Sequence, residues 1–236
     1  MKKTPIKTVV YNYYLLLILS LFLSACSGPL VKETQPDWHV STQSGLAQGI
    51  STSEGVVSWM NIPYALPPIN ALRWRAPREY LDRNGLLKSS DESMKICPQK
   101  ADPTANLEGD NVVGDEDCLY LDIRAPRTLL NNRKIPVMVW IHGGGNTTGH
   151  KGAYNFSKFV AAQNVIVVTI NYRLGPLGWF THPLIQSYQS GLDATSNFGT
   201  LDMIEALKWI NNNIEQFGGD AQNMSPLGAS AGGLNV

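Results

Sequence analysis

This 236-residue chain has only three cysteines, four histidines and no excess of either sign of charge. Its 19 basic and 19 acidic residues cancel, so no global field draws nucleic acid or an anionic surface. No basic block with interleaved aromatics occurs either, which argues against a nucleic-acid partner. The cysteines and histidines show no C-x-x-C or H-x-x-x-H spacing, so no metal site is indicated. Glycine-Lys-Ser/Thr, the phosphate-loop signature, is missing. The dinucleotide pattern G-x-G-x-x-G is broken at "HGGGNTTGH", where Thr148 stands in place of the last glycine, and "GASAGG" lacks the form that opens a long helix. What remains is 43% hydrophobic and 16% charged, the composition of a globular chain able to bury a core. Neither an internal repeat nor a second domain is visible.

One long apolar run exists, and it is N-terminal. Lys2, Lys3 and Lys7 precede "VVYNYYLLLILSLFLSA", which barely reaches the ~20 residues of a membrane span. Residues 1–25 therefore read as a signal peptide. Its end, "LSAC" from Leu23 to Cys26, resembles a bacterial lipoprotein signal, with cleavage before Cys26 and lipid on the new terminus; the alternative is an uncleaved anchor helix. Ser27, rather than an aspartate, after the cysteine favours outer-membrane sorting in the cell envelope. Residues 26–45 read as a polar tether that includes His39. Export also puts Cys97 and Cys118 in an oxidising compartment, where pairing them closes a loop worth roughly 3 kcal/mol in the chain-entropy picture.

The body alternates strand and helix patterns. "GLAQGISTSEGVVSWMNIPYA" reads as a hairpin turning at Ser-Glu-Gly. "CLYLDIRAP" alternates Leu119, Leu121 and Ile123 on one face, which predicts a strand with one wet face. "PVMVWIH" and "NVIVVTINY" are continuous runs of the kind buried in a parallel sheet. "YNFSKFVAAQN" between them has the length of a crossover helix. Leu201, Ile204, Leu207, Ile210, Ile214 and Phe217 predict an amphipathic helix over 201–217, stopped by Gly218 and Gly219. "MSPLGAS" is the next strand. Strand, helix, strand, helix, strand is an α/β pattern with a mostly parallel sheet.

Glycine clusters then fall after strands, where open α/β sheets carry their sites. "HGGG", His142 to Gly145, lets backbone N–H groups approach a substrate oxygen, although a flexible turn reads the same way. "GPLGWF" reads as a turn. "GASAG", Gly228 to Gly232, fits G-x-S-x-G, in which a serine sits exposed on a strand-to-helix turn. On its own that pentapeptide is weak evidence.

Seven stretches occur in order: "NIPYALPP", "LRWRAP", "EDCLYLDI", "VMVWIHGGG", "VIVVTINYRLGPLGWF", "NFGTLDMIEALKWINNNIEQFGGDAQN" and "GASAGG". Together they resemble the type B carboxylesterase/lipase family. The resemblance runs from about Leu46, so residues 46–236 are expected to be the N-terminal part of such a domain. It implies an α/β-hydrolase fold with a mostly parallel central sheet, helices on both faces and a preceding β-hairpin. It implies a serine carboxylic-ester hydrolase without cofactor, acting on a small-molecule ester. Ser230 would be the nucleophile, and the N–H groups of Gly144, Gly145 and Ala231 the oxyanion hole. Cys97 and Cys118 match the family's first disulfide. Arg73 with Glu116, and Arg173 with Asp202, match structural ion pairs expected to contribute little where exposed.

Departures are Asn146, where the family has an aromatic; Met203, where glutamine is usual; and Pro226, inside the strand leading to the serine, where proline removes a ladder donor. The hydrolase triad runs Ser, acid, His along the chain. Only Ala, Gly, Gly, Leu, Asn and Val follow Ser230, so the chain is expected to be a truncated, inactive fragment. The other functional reading is a non-catalytic, esterase-like binding or adhesion lipoprotein.

Overall fold

A computed structural model of the chain describes residues 38–82, 85–88, 94–109, 111–128 and 134–236. The signal-peptide and lipidation readings, Cys26 included, lie outside the described residues. No described helix is long and apolar enough to cross a membrane.

Among the described residues the strands are β1 His39–Thr42, β2 Gly45–Gln48, β3 Ile50–Ser51, β4 Val56–Pro63, β5 Leu86–Lys88, β6 Gln99–Lys100, β7 Val112–Val113, β8 Tyr120–Pro126, β9 Ile135–Ile141, β10 Ile166–Ile170 and β11 Gly219–Gly228. The α-helices are α1 Ser157–Gln163, α2 Gly175–Gly178, α3 Pro183–Ser187, α4 Phe198–Asn213 and α5 Ala231–Leu234. A six-stranded sheet in the order β11-β9-β10-β8-β4-β3 forms the centre. β11, β9 and β10 run parallel, while β8 is antiparallel to both β10 and β4. The sheet is thus mixed. Only residues 127–134 link β8 to β9, fewer than the dozen or more that a parallel return requires, so β9 runs opposite to β8. The longer connections, through α1 and then through α4, carry the parallel strands.

Sequence explains the centre well. Every residue of β10, from Ile166 to Ile170, is buried, as its unbroken β-branched run predicts. Each such aliphatic side chain contributes about 1.5–3 kcal/mol by leaving water. The predicted hairpin is present as β3 and β4, closed by the Thr52 N–H donating to the Val56 carbonyl at 2.7 Å. α1 stops at Asn164, whose left-handed φ of 52° lets its N–H reach back to the Val160 carbonyl.

Three expectations are corrected. Part of the polar tether is folded: β1 pairs with β2 from His39↔Gln48 to Thr42↔Gly45. Trp38 packs on the core, and its carbonyl accepts from Trp59 Nε1 at 2.9 Å. Polar composition concealed this, because the segment is held by backbone pairing and one aromatic. Next, β8 has no wet face; Asp122 and Arg124 alternate with Leu121 and Ile123, yet all four are buried. Finally, α4 begins at Phe198, and its inward face is only partly the apolar stripe read from spacing. Ile210, Ile214 and Phe217 are buried as expected, but Ile204 is 43% exposed, and Phe198, Asp202, Ala206, Trp209 and Asn213 also face in. The buried polar groups are paired, which removes the penalty for turning them inward. Trp209 Nε1 donates to Ser44 Oγ at 2.7 Å, and Asn213 Oδ1 accepts from the Gln43 N–H at 3.0 Å. Beyond Asn213 a 3₁₀ turn, Ile214–Phe217, ends at Gly218 with φ 84°.

Pro226 stands in β11 opposite Val139 and is exposed; nothing in the structure explains a proline there.

Candidate functional site

Three loops meet at the carboxyl ends of the parallel strands. Ser230 follows β11 directly and precedes α5, with its side chain exposed and its backbone at φ 52°, ψ −124°. That conformation is sparsely populated for any residue with a Cβ, and its energy of order 1–3 kcal/mol must be offset by the surroundings. The flanking glycines show how. A Cβ on Gly228 would strike the backbone of Gly232, and one on Gly232 would strike the carbonyls of Ile141 and His142. Strand, helix and the end of β9 approach too closely for any side chain there. The G-x-S-x-G spacing is therefore the packing requirement of this turn.

The "HGGG" loop lies against it. A Cβ on Gly143 would come within 3.2 Å of Ser230 Cβ and 2.8 Å of the Ala229 carbonyl. Gly144 and Gly145 have φ of 105° and 63°, a region favourable to glycine. The Gly144 carbonyl turns inward and accepts from the N–H groups of Thr147 and Thr148, each at 3.0 Å. Across a trans peptide N–H and C=O point oppositely, so the Gly145 N–H is directed out of the loop. By the same geometry the Gly143 carbonyl, which accepts from His142 Nδ1 at 2.8 Å, turns the Gly144 N–H away from that ring. Among the described residues neither N–H meets a protein acceptor. Ala231, the first residue of α5, adds an N–H at a helix N-terminus beside Ser230.

The loop is pinned along its length. The Gln99 amide exchanges two bonds with Gly149, donating at 2.9 Å and accepting at 2.6 Å. The Lys151 N–H donates to Asn171 Oδ1 at 2.8 Å, and Lys151 Nζ reaches the buried Asp122 carboxylate at 2.6 Å. Asp122 Oδ1 also accepts from the Asn61 N–H at 2.9 Å. Asn171 Nδ2 donates to the carbonyls of Lys95 and Cys118, tying the loop floor to the disulfide region. Cys97 and Cys118 are bonded. None of Gln99, Lys151, Asp122 or Asn171 stood out in the sequence; the one available signal was an aspartate inside a run of core residues.

The histidines are engaged elsewhere. His142 is buried, stacked on Tyr172 with ring centroids 4.4 Å apart, and burial pushes its imidazole down to about 4. His150 Nε2 contacts the Ala105 carbonyl at 2.8 Å, with burial lowering its pKa. His182 Nδ1 accepts from the Leu184 N–H and caps α3. His39 lies in β1, away from the tether role read for it. Among the described residues no side chain hydrogen-bonds to Ser230 Oγ, and no group of histidine, cysteine and acid side chains is arranged to hold a metal.

Both anticipated ion pairs form, and they differ. Arg73 and Glu116 are partly exposed, with Nε to Oε2 at 2.6 Å. Arg173 and Asp202 are buried: Arg173 donates to the carboxylate from Nε at 2.7 Å, from NH2 at 2.6 Å and from its own N–H at 3.0 Å. Burial raises the Asp202 carboxyl while the guanidinium opposes that rise. The small contribution expected of an exposed pair applies to Arg73–Glu116 alone. Arg173–Asp202 instead clamps the loop after β10 to α4.

Comparison with known proteins agrees with this geometry. The carboxylesterase family model matches residues 36–236. The para-nitrobenzyl esterase of Bacillus subtilis (strain 168) is 41% identical over 199 residues, covering 84% of this chain and 39% of that protein. The fumonisin B1 esterase of Sphingopyxis macrogoltabida is 36% identical over 217 residues, covering 90% of this chain and 38% of that one. A solved thermophilic PNB esterase superposes with a TM-score of 0.75 at 38% identity, over 85% of this chain and 40% of the other. Aspergillus niger EstA gives 0.70 at 30% identity, over 83% and 36%. The chain spans about two fifths of the length of these relatives.

Proposed function

The chain belongs to the carboxylesterase family and has its α/β-hydrolase fold, and we propose from this that it forms the nucleophile-bearing part of a serine carboxylic-ester hydrolase. The observation that carries the reading is Ser230, held at positive φ between glycines that admit no side chain and set against the "HGGG" loop. Strain kept at an exposed hydroxyl, when the surroundings are built to maintain it, is the mark of a functional position.

In this reading Ser230 Oγ attacks the carbonyl carbon of a small-molecule ester. The oxyanion accepts from the N–H groups of Gly144, Gly145 and Ala231, each such donor being worth roughly 3–4 kcal/mol. The alcohol departs, an acyl-serine remains, and water then releases the acid. Both steps require a base for the proton of Ser230 or of water. His142 and His150 are buried and committed to carbonyls, and His182 caps a helix. The base, with the acid that orients it, is therefore proposed to come from outside residues 1–236, and this segment alone is expected to be inactive. Export as a lipoprotein anchored through Cys26 in the cell envelope is part of the same proposal. A native mature protein that carries no lipid, or that retains Met1, refutes the anchoring.

A fluorophosphonate probe on the full-length gene product tests the function. Labelling at Ser230, abolished in Ser230→Ala, supports the hydrolase. A folded protein that stays unlabelled favours the adhesion-type reading. Turnover of para-nitrophenyl acetate by residues 1–236 alone, lost in Ser230→Ala, would show that the external base is unnecessary.

A further inference from the structure

Asn146 follows the oxyanion glycines at φ 58°, a left-handed conformation that asparagine adopts more readily than most side chains. It joins its own loop to two other segments. Its carbonyl accepts from the Gly175 N–H at 2.7 Å, at the start of α2. Its Oδ1 accepts from Asn235 Nδ2 at 2.9 Å, just past α5. The single hydroxyl proton of Tyr172 goes to the His142 carbonyl at 2.8 Å, at the other end of the glycine run, and the same hydroxyl lies 3.3 Å from Asn146 Oδ1. The loop bearing Gly144 and Gly145 is thereby bracketed on both sides, and its C-terminal bracket reaches the helix whose first N–H belongs to Ala231.

We propose that Asn146 is a positioning residue that keeps the two sources of oxyanion donors, the glycine loop and the N-terminus of α5, in register around Ser230. The inference rests on the hydrolase reading. An oxyanion hole built from two segments works only if both aim at one point, and a displacement near 1 Å can lower a rate by about 100-fold. The Asn146–Asn235 bond is the one direct side-chain link between those segments among the described residues.

The test uses the full-length gene product with Asn146→Gly, which keeps the left-handed backbone but removes the bridge, Asn235→Ala, and the double variant. Each single change is expected to lower kcat for para-nitrophenyl acetate, and the rate of fluorophosphonate labelling, by about 10- to 100-fold. KM should stay within about twofold, because a misaimed oxyanion hole weakens the transition state and leaves ground-state binding intact. The double variant should fall no further than Asn146→Gly. Independent, multiplying losses, or a change in KM at constant kcat, would overturn the proposal. Backbone order parameters give a readout that needs no turnover: Gly144 and Gly145 should drop from rigid values near 0.85 to below about 0.6 in Asn146→Gly. Unchanged order parameters overturn the positioning role even if the wild type proves unreactive. A wild type that is unreactive, with a loop that loosens in the variant, sinks the hydrolase reading and leaves the coupling standing.

Discussion

Replacing Lys151 by methionine strips the cation from a carboxylate that has no water to turn to. The Lys151 side chain is 4% exposed and that of Asp122 is 1% exposed, with 2.6 Å between Nζ and Oδ1. Arg124, the other cation near Asp122, stands 3.9 Å off and does not replace that bond. Breaking a buried pair from one side leaves a buried charge uncompensated, at about 3–5 kcal/mol. At roughly 1 °C per kcal/mol for a full-length protein of the relatives' size, Lys151→Met should melt about 3–5 °C lower. The carboxylate also accepts from the Asn61 N–H, so the compensating change must keep an acceptor. Asp122→Asn does so while removing the charge. Lys151→Met with Asp122→Asn should therefore recover at least half of the single-mutant loss, a coupling on the order of 2 kcal/mol. Thermal and urea unfolding of the four full-length proteins measure the cycle. A Lys151→Met protein within about 1 kcal/mol of wild type, or a double variant no better than the single, would refute the claim that this pair is electrostatically isolated from solvent.

Three further outcomes follow from the same geometry. Cys97 and Cys118 close a loop at a sequence separation of 21, so the double serine variant should lose about 3 kcal/mol; an equal melting temperature under oxidising conditions would contradict this. His142 sits at about 4, below its ordinary 6.5, so its neutral form favours folding fully above pH 6.5. That contribution is lost as the pH falls from 6.5 to 4, by about 1.4 kcal/mol per unit, because the unfolded chain takes up the proton first. Melting temperature against pH should show the fall, and His142→Gln should flatten it. Gly232→Ala would drive a Cβ into the carbonyls of Ile141 and His142, so it should abolish soluble folded protein or fluorophosphonate labelling; normal melting with normal labelling would show that the turn has room.

Periodicity and motif order made much of this molecule legible, for a physical reason. Burial of β10 depends on a one-dimensional run of branched side chains, and the hairpin depends on local turn chemistry. β9, read as the same kind of run, instead alternates: Ile135, Val137, Val139 and Ile141 are buried while Pro136 is exposed and Met138 and Trp140 are half-buried. The reading failed where a polar residue is buried against a distant partner. β8 was given a wet face because Asp122 and Arg124 alternate with leucine and isoleucine. Lys151, which turns that face dry, lies 29 residues later in a loop with no period. α4 was given Ile204 on its inner face because isoleucine is apolar. Asp202 and Asn213 occupy that face instead, since Arg173 and Gln43 supply their bonds. Hydropathy has no term for a partner.

The site shows the same division. Gly228, Ser230 and Gly232 are legible because close packing at the turn prohibits side chains at those spacings, and prohibition leaves a pattern. Asn146 left none. From its identity it could be read only as a departure from an aromatic. Its geometry gives it a different task, since Oδ1 accepts from Asn235, 89 positions along the chain, and lies beside the Tyr172 hydroxyl, 26 positions along. Both are ordinary residues whose importance arises only when β9, β10 and β11 lie side by side and deliver their loops to one end of the sheet. Excluded side chains mark where backbone must come close, and such marks survive in the sequence. The hydrogen bonds that then hold the approaching segments in register are made between positions that only the fold makes neighbours.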